Sequence, residues 1–208
     1  MKRLGLVCLI AFLAGCASGP PPPDWQMNAK SALERATAAY LAGNSRVAGL
    51  DFERARAELA RTGRADLLAR ALLTECAARV ASLEFDDQCP GLAPLAADAG
   101  PAERAYAAYL AGSSDVQQQD LALLPEAQRQ AQPAAIADPL ARLVSMGVRL
   151  RRGEAVDAAL AVDTASAQGW RRPLLAWLHQ QLRQAQAAGD AAGAERARRR
   201  IALVLGPQ

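Results

Sequence analysis

Aromatic side chains make up 4% of this 208-residue chain, and histidine occurs once, at His179. The first scarcity removes the stacking platforms that grip single-stranded nucleic acids, so no nucleic-acid partner is expected. The second removes histidine-based metal centres and most nucleophile–base pairs. His179 has no Cys, Asp or Glu within four residues of it. No H-E-x-x-H, G-x-S-x-G or glycine-rich phosphate loop is present. A hydrolase would need carboxylates with perturbed pKa values converging from distant segments; the expectation is no enzyme, no cofactor and no metal. No apolar run approaches the roughly 20 residues of a membrane-spanning helix. Strand-like alternation of β-branched and aromatic residues is also missing, which leaves helices.

Apolar residues make up 51% of the chain, with alanine the dominant filler. Their spacing is helical. Asp24 is placed to cap a helix running to Ala42, with Leu33, Ala36 and Tyr40 on one side and Gly43 at its end. Asn44 or Ser45 restarts the chain. Ala48, Phe52, Ala55 and Leu59 then form one stripe, which Thr62-Gly63 breaks. A third helix carries Ala69, Leu72, Leu73, Cys76, Val80 and Leu83 on a single face. Short turns between these segments imply antiparallel hairpins. Two stretches read as loops: 84–101, with three prolines and two glycines, and the glutamine-rich 113–133.

The chain repeats itself. Glu34-Arg35-Ala36-Thr37-Ala38-Ala39-Tyr40-Leu41-Ala42-Gly43 recurs 69 residues later as Glu103-Arg104-Ala105-Tyr106-Ala107-Ala108-Tyr109-Leu110-Ala111-Gly112. Downstream, Pro139 and Pro173 lie 34 residues apart, each read as opening a helix at its first position. Each of those helices ends in a glycine-acid turn, Gly153-Glu154 and Gly189-Asp190. The first helix pair resembles a tetratricopeptide repeat (TPR), a 34-residue unit. Ala36 matches the small residue of its first helix, Gly43 its turn, and Ala48, Phe52 and Ala55 the small-large-small pattern of its second. The early large residue and the terminal proline of that motif are missing. The resemblance implies an all-α fold for residues 24–208, with antiparallel helical hairpins stacked as a short TPR-like α-solenoid. Trp170 and Trp177 are expected in the core or cap of the last unit. Trp25 is read as a staple against the first pair, or as a side chain at a membrane interface.

At the N-terminus, Lys2 and Arg3 precede an apolar run from Leu4 to Leu13. With small residues following, this reads as a secretory signal peptide. Leu13-Ala14-Gly15-Cys16 resembles the lipobox of bacterial lipoproteins. That resemblance implies a signal peptide over residues 1–15 and lipidation of Cys16 after cleavage. Two or more acyl chains give stable anchoring. Ala17 and Ser18 follow, where an aspartate would imply inner-membrane retention, so the implied address is the outer membrane, facing the periplasm. Residues 16–23 form the lipidated cysteine and its tether. Four consecutive prolines, Pro20 to Pro23, favour polyproline II, and residues 17–23 reach about 22 Å at roughly 3.1 Å each.

Exported proteins fold where disulfides persist. Cys76 and Cys89 are 13 residues apart and are expected to pair, pinning the 84–101 loop. Residues 84–133 carry eight acids and two bases, whereas 134–208 carry eleven bases and six acids. The basic end, with Arg196, Arg198, Arg199 and Arg200, reads as a solvated helix face or a contact for anionic lipid. The function these readings imply is a membrane-anchored scaffold or adaptor presenting a groove to an envelope protein or peptide. The alternative is an accessory or assembly subunit of an envelope secretion, pilus or cell-wall machine, which would expose an apolar patch; an envelope hydrolase ranks below both.

Overall fold

The computed structural model describes residues 21–85, 89, 91–113 and 118–206, and every regular element among them is helical. The helices are α1 (Asp24–Ala42), α2 (Ser45–Ala60), α3 (Ala65–Ala81), α4 (Pro101–Leu110), the single turn α5 (Gln118–Leu121), α6 (Pro139–Arg151), α7 (Ala158–Ala167), α8 (Arg171–Ala187) and α9 (Ala191–Leu205). The all-α expectation holds for this part of the chain. The signal segment 1–15, Cys16 and most of the tether lie outside the described residues.

Helix starts follow local chemistry, with two departures from expectation. Pro23 adopts polyproline geometry (φ −56°, ψ 147°) and is itself the N-cap of α1. Asp24 makes no capping bond; it is the first helical residue, where its charge faces the positive end of the helix dipole. Asn44 caps α2, accepting the Val47 N–H at 3.3 Å. Asp138, Asp157 and Asp190 cap α6, α7 and α9 in the same way. Pro139 opens α6 as expected, but α8 begins at Arg171, so Pro173 is its third residue. A proline is tolerated there because first-turn N–H groups have no intrahelical acceptor.

The repeated decapeptide produces a repeated helix end. Gly43 (φ 93°) and Gly112 (φ 72°) take the left-handed backbone that glycine adopts without steric cost. The next N–H then reaches back, Asn44 to Ala39 O at 2.8 Å and Ser113 to Ala108 O at 3.1 Å. This is the Schellman closure. It recurs at α3 without a glycine: Leu83 is left-handed (φ 57°), and Glu84 N–H reaches Arg79 O at 3.0 Å. Leu83 was expected on the stripe of α3; it lies beyond the helix, in a conformation that costs an L-residue roughly 1–2 kcal/mol.

Helix α3 sits at the centre, packed by α1, α2, α4 and α6. Its expected single face is an underestimate. Ala71, Ala77, Ala78 and Ala81 are buried together with Ala69, Leu72, Leu73, Cys76 and Val80. A helix covered on most sides needs apolar residues all round, and alanine supplies them without widening the helix. Gly147 of α6 crosses so closely that a Cβ there would collide with the Val80 carbonyl.

Packing is not confined to successive helices, for α8 returns to meet α1. Trp177 of α8 is fully buried and donates its indole N–H to Ala81 O at 3.0 Å. About a turn and a half earlier, Arg172 joins four segments. It donates to Tyr40 O at the end of α1 (2.8 Å), to Ser45 Oγ at the start of α2 (2.5 Å) and to Glu84 Oε1 after α3 (2.9 Å). Its guanidinium also lies 4.2 Å from the Tyr40 ring centroid. Tyr40 completes the node by donating its hydroxyl to Glu84 Oε2 at 2.6 Å. Burial, reinforced by Glu84, pushes the Tyr40 phenol well above its usual range, so it stays a donor.

Two outcomes follow. Arg172→Ala leaves the Tyr40 carbonyl with the Gly43 N–H alone and Glu84 with the Tyr40 hydroxyl alone, and loss of the charged hydrogen bonds should cost about 2 kcal/mol, read as a lower urea midpoint by helical circular dichroism. Arg172→Lys should recover little, since an ammonium cannot reproduce a planar fork of donors. Glu103, buried in the first turn of α4, accepts from Arg70 Nε at 2.6 Å. The Arg70 hydrogen bond, opposed by burial, holds its carboxyl below the usual glutamate range. A depressed folded pKa stabilises above the unfolded value of about 4.3 and is lost as pH falls through the folded one. Glu103→Gln should therefore lower stability at pH 7 and flatten its acid decline; an unchanged decline would remove Glu103 as a contributor.

Candidate functional site

The segment between α3 and α4 folds back over α3 and roofs a cleft of about 380 Å³. The floor is α3 at Cys76 and Val80. One wall is α4 at Ala107 and Ala108, with Ala111 at its C-cap, and the roof includes Leu92, Ala93 and Ala96. Alanine on both wall and roof makes the space: at each of these positions a larger side chain would fill it.

Two features hold the roof. The sulfurs of Cys76 and Cys89 stand at disulfide distance with their Cα atoms 5.5 Å apart, inside the range native bridges use. Both cysteines line the cleft. Beyond Cys89, Gly91 lies against Leu72, and a short 3₁₀ turn spans Ala93–Leu95. The expected pair is thus brought together.

Among the described residues, three charged side chains line the cleft: Arg79, Arg151 and Glu84. Glu84 is held by Arg172 and Tyr40 as described. Arg79 lies 3.7 Å from Glu75, whose second oxygen accepts from Arg56 at 2.7 Å, so one carboxylate serves two guanidiniums. Arg151 reaches Leu110 O at 3.5 Å, with its guanidinium 5.7 Å from the Phe85 ring centroid. Arg79 and Arg151 each make further interactions besides these. Asp86 and Asp87 lie outside the described residues.

Other clefts are less suggestive. One of about 610 Å³ lies between the same roof, α2 and α3, and its charged groups are the paired Arg56 and Glu75. Another, between α8 and α9, is edged by Gln181, Gln184, Asp190, Arg196 and Arg200. Among the described residues, no group of three or more His, Cys, Asp or Glu could hold a metal ion.

The remaining sequence-predicted residues are dispersed. His179 is exposed on α8. Trp25 packs with Ala29, Leu59 and Ala71, as expected of the staple. Trp170 is half-buried at the N-cap of α8, and Trp177 is core. Of the basic end, Arg149, Arg152 and Arg171 bind the carbonyls of Ala131, Ser113 and Leu205. On α9, Arg198 and Arg199 pair with Glu195, and Arg196 with Asp190. Arg79 was not singled out from sequence, and Arg151 and the alanine wall were read only as part of the basic end and of the repeat, since nothing in the pattern distinguishes them from solvated arginines and filler alanines.

If the bridge closes its 13-residue loop, it should contribute about 3 kcal/mol. Replacing both Cys76 and Cys89 with serine should lower the urea midpoint accordingly, and adding reductant to the unaltered protein should do the same. A midpoint indifferent to reductant would show that the bridge contributes nothing. Compared with family models, curated proteins and solved structures, the chain matches none.

Proposed function

We propose that this chain is a lipid-anchored scaffold of the outer membrane, facing the periplasm and binding another envelope protein or peptide through TPR-like stacked hairpins. The observation that carries the reading is the Leu13-Ala14-Gly15-Cys16 pattern, set seven residues before a rigid helical body that begins at Asp24. Acyl chains on Cys16 would hold that body against the bilayer, and polyproline geometry at Pro23 suits a short spacer. No described helix is long and apolar enough to cross a membrane, so attachment would fall to the lipid.

Stacking is supported by packing order: α1 on α2, α6 on α7, α7 on α8 and α8 on α9. The contact between α8 and α1 draws the array round on itself, so the binding face of such a scaffold would be its outer surface. A second reading has an observation of its own. Leu203 is 81% exposed on α9 with Leu205 beside it, and Val47 and Leu50 stand out from α2. Fixed docking within a larger envelope assembly would cover side chains of this kind.

The experiment is metabolic labelling with a palmitate analogue, followed by membrane fractionation. The unaltered protein should carry the label and sediment with outer membranes. Cys16→Ser should lose the label and leave that fraction. Unchanged retention, or an unlabelled wild type, would overturn the reading. Crosslinking in intact envelopes then separates the two roles: Leu203→Glu should abolish a fixed-docking adduct and spare an adaptor bound elsewhere.

A further inference from the structure

We propose that the groove between α8 and α9 binds an extended peptide segment of a partner protein, with a Glu or Asp side chain of that segment seated on Arg200. The inference rests on the adaptor reading and gives it a place and a partner chemistry.

Charge supports the acidic side chain. Arg200 of α9 and Gln181 of α8 are half-buried and line this groove of about 390 Å³. Among the described residues, neither has a hydrogen-bond or ion-pair partner. The other arginines of α9 are committed, Arg198 and Arg199 to Glu195, and Arg196 to Asp190. Asp190, the carboxylate that borders the groove, is engaged twice. It caps α9 by accepting the Gly193 N–H at 2.8 Å and lies 3.8 Å from Arg196. Asp157, on the neighbouring turn, is occupied in capping α7. Of the three charged residues lining the groove, Asp190 and Arg196 thus offset each other and Arg200 remains. A guanidinium partly withdrawn from water favours a carboxylate, which it meets through parallel N–H donors.

Shape and amides support the peptide. The lining recurs at helical spacing, at 181, 184, 185 and 188 on α8 and at 193, 196, 197 and 200 on α9. The groove therefore follows the hairpin for about seven residues of helix, roughly 10 Å. That length takes about three residues of extended chain at roughly 3.3 Å each. Ala185, Ala188, Gly193 and Ala197 line it between the polar groups, small enough for a backbone to lie close. Gln184 donates to Val156 O at 3.1 Å and keeps its own carbonyl oxygen as an acceptor. With Gln181 it presents the amide groups that peptide N–H and C=O pair with. A membrane surface or a nucleic acid would call for a run of uncommitted cations, and this groove offers one.

The test uses the full chain in lipid nanodiscs and a blocked pentapeptide, acetyl-Ala-Ala-Glu-Ala-Ala-amide, with one alanine replaced by a diazirine amino acid and crosslinks mapped by mass spectrometry. Label should concentrate on segments 181–188 and 193–200 and be displaced by the same peptide without the diazirine. The glutamine analogue should displace it at least tenfold less well, for want of the charged hydrogen bonds. Arg200→Gln should abolish that preference, with helical circular dichroism confirming that the variant is folded. Ala188→Leu, at an exposed position, should narrow the groove and reduce labelling about tenfold. Label spread over the other helices, or equal displacement by the glutamine analogue, would overturn the site. Stronger displacement by an all-alanine peptide with a free carboxy terminus would overturn the side-chain assignment. In intact envelopes, a partner adduct undiminished by Arg200→Gln would overturn this groove and leave the adaptor reading standing. Failure of that reading shows separately, as the absence of any adduct from the unaltered protein.

Discussion

The guanidinium of Arg172 is the constraint on which the arrangement of this protein rests. Helical hairpins joined by short turns have an intrinsic freedom to splay, because each contacts chiefly its neighbours. Here a side chain from the first turn of α8 reaches Tyr40 O, Ser45 Oγ and Glu84 Oε1 at once, across up to 132 residues of sequence. Those acceptors sit where α1 ends, α2 begins and α3 has just closed. Five donors in a planar fork can satisfy that geometry, and no other side chain can. The fully buried Trp177, one turn and a half further along, adds apolar area and a hydrogen bond to Ala81 O. Together they fix α8 against both α1 and α3.

The node also gives Leu83 its purpose. Closing α3 through a left-handed leucine is costlier than through a glycine, yet the closure delivers Glu84 to the place where Tyr40 and Arg172 meet. The same consideration changes how the charge division of the chain is understood. An acidic middle and a basic end look like separate surfaces for separate partners. Much of that contrast is internal: Arg172 pairs with Glu84, while Arg149 and Arg152 bind carbonyls of the 113–133 stretch. These arginines hold an irregular connection against regular helices, where unpaired carbonyls would otherwise be left over. On α9, Arg196 pairs with Asp190, and Arg198 and Arg199 with Glu195, on their own helix or turn.

Helix positions were legible because caps and turns are local. Gly43, Asn44, Asp138 and Gly189 each bias the backbone through their own chemistry, and the structure follows them closely. The cysteine pair was legible too, from a spacing that lets a loop fold back on its own helix. Asp24 and Pro173 misled by a residue or two, since a proline or a carboxylate suits several places in a first turn. The larger error was α3. Alanine carries almost no amphipathic contrast, so a stripe of larger residues stood out while Ala71, Ala77, Ala78 and Ala81 went unread. Nothing in a one-dimensional pattern says that four helices surround the third. For the same reason the long-range role of Arg172 was invisible, being set by a meeting of segments more than a hundred residues apart.

Alanine is also what ties the fold to its cleft. The decapeptide shared by α1 and α4 puts Tyr40 and Tyr109 in matching places, each with a guanidinium over its ring and an acceptor at its hydroxyl. It equally puts small residues at matching places, Ala38, Ala39 and Ala42 against Ala107, Ala108 and Ala111. In α1 the first and last of these face solvent, and they enclose nothing. In α4 they face a segment held down at Cys89, and the same methyl groups become a wall. One sequence motif thus yields identical local bonds and two different surfaces, the difference arising from what the chain lays beside it. A bulkier residue at any of the three would leave the helix intact and close the space, which makes the cleft a property of packing and not of the motif.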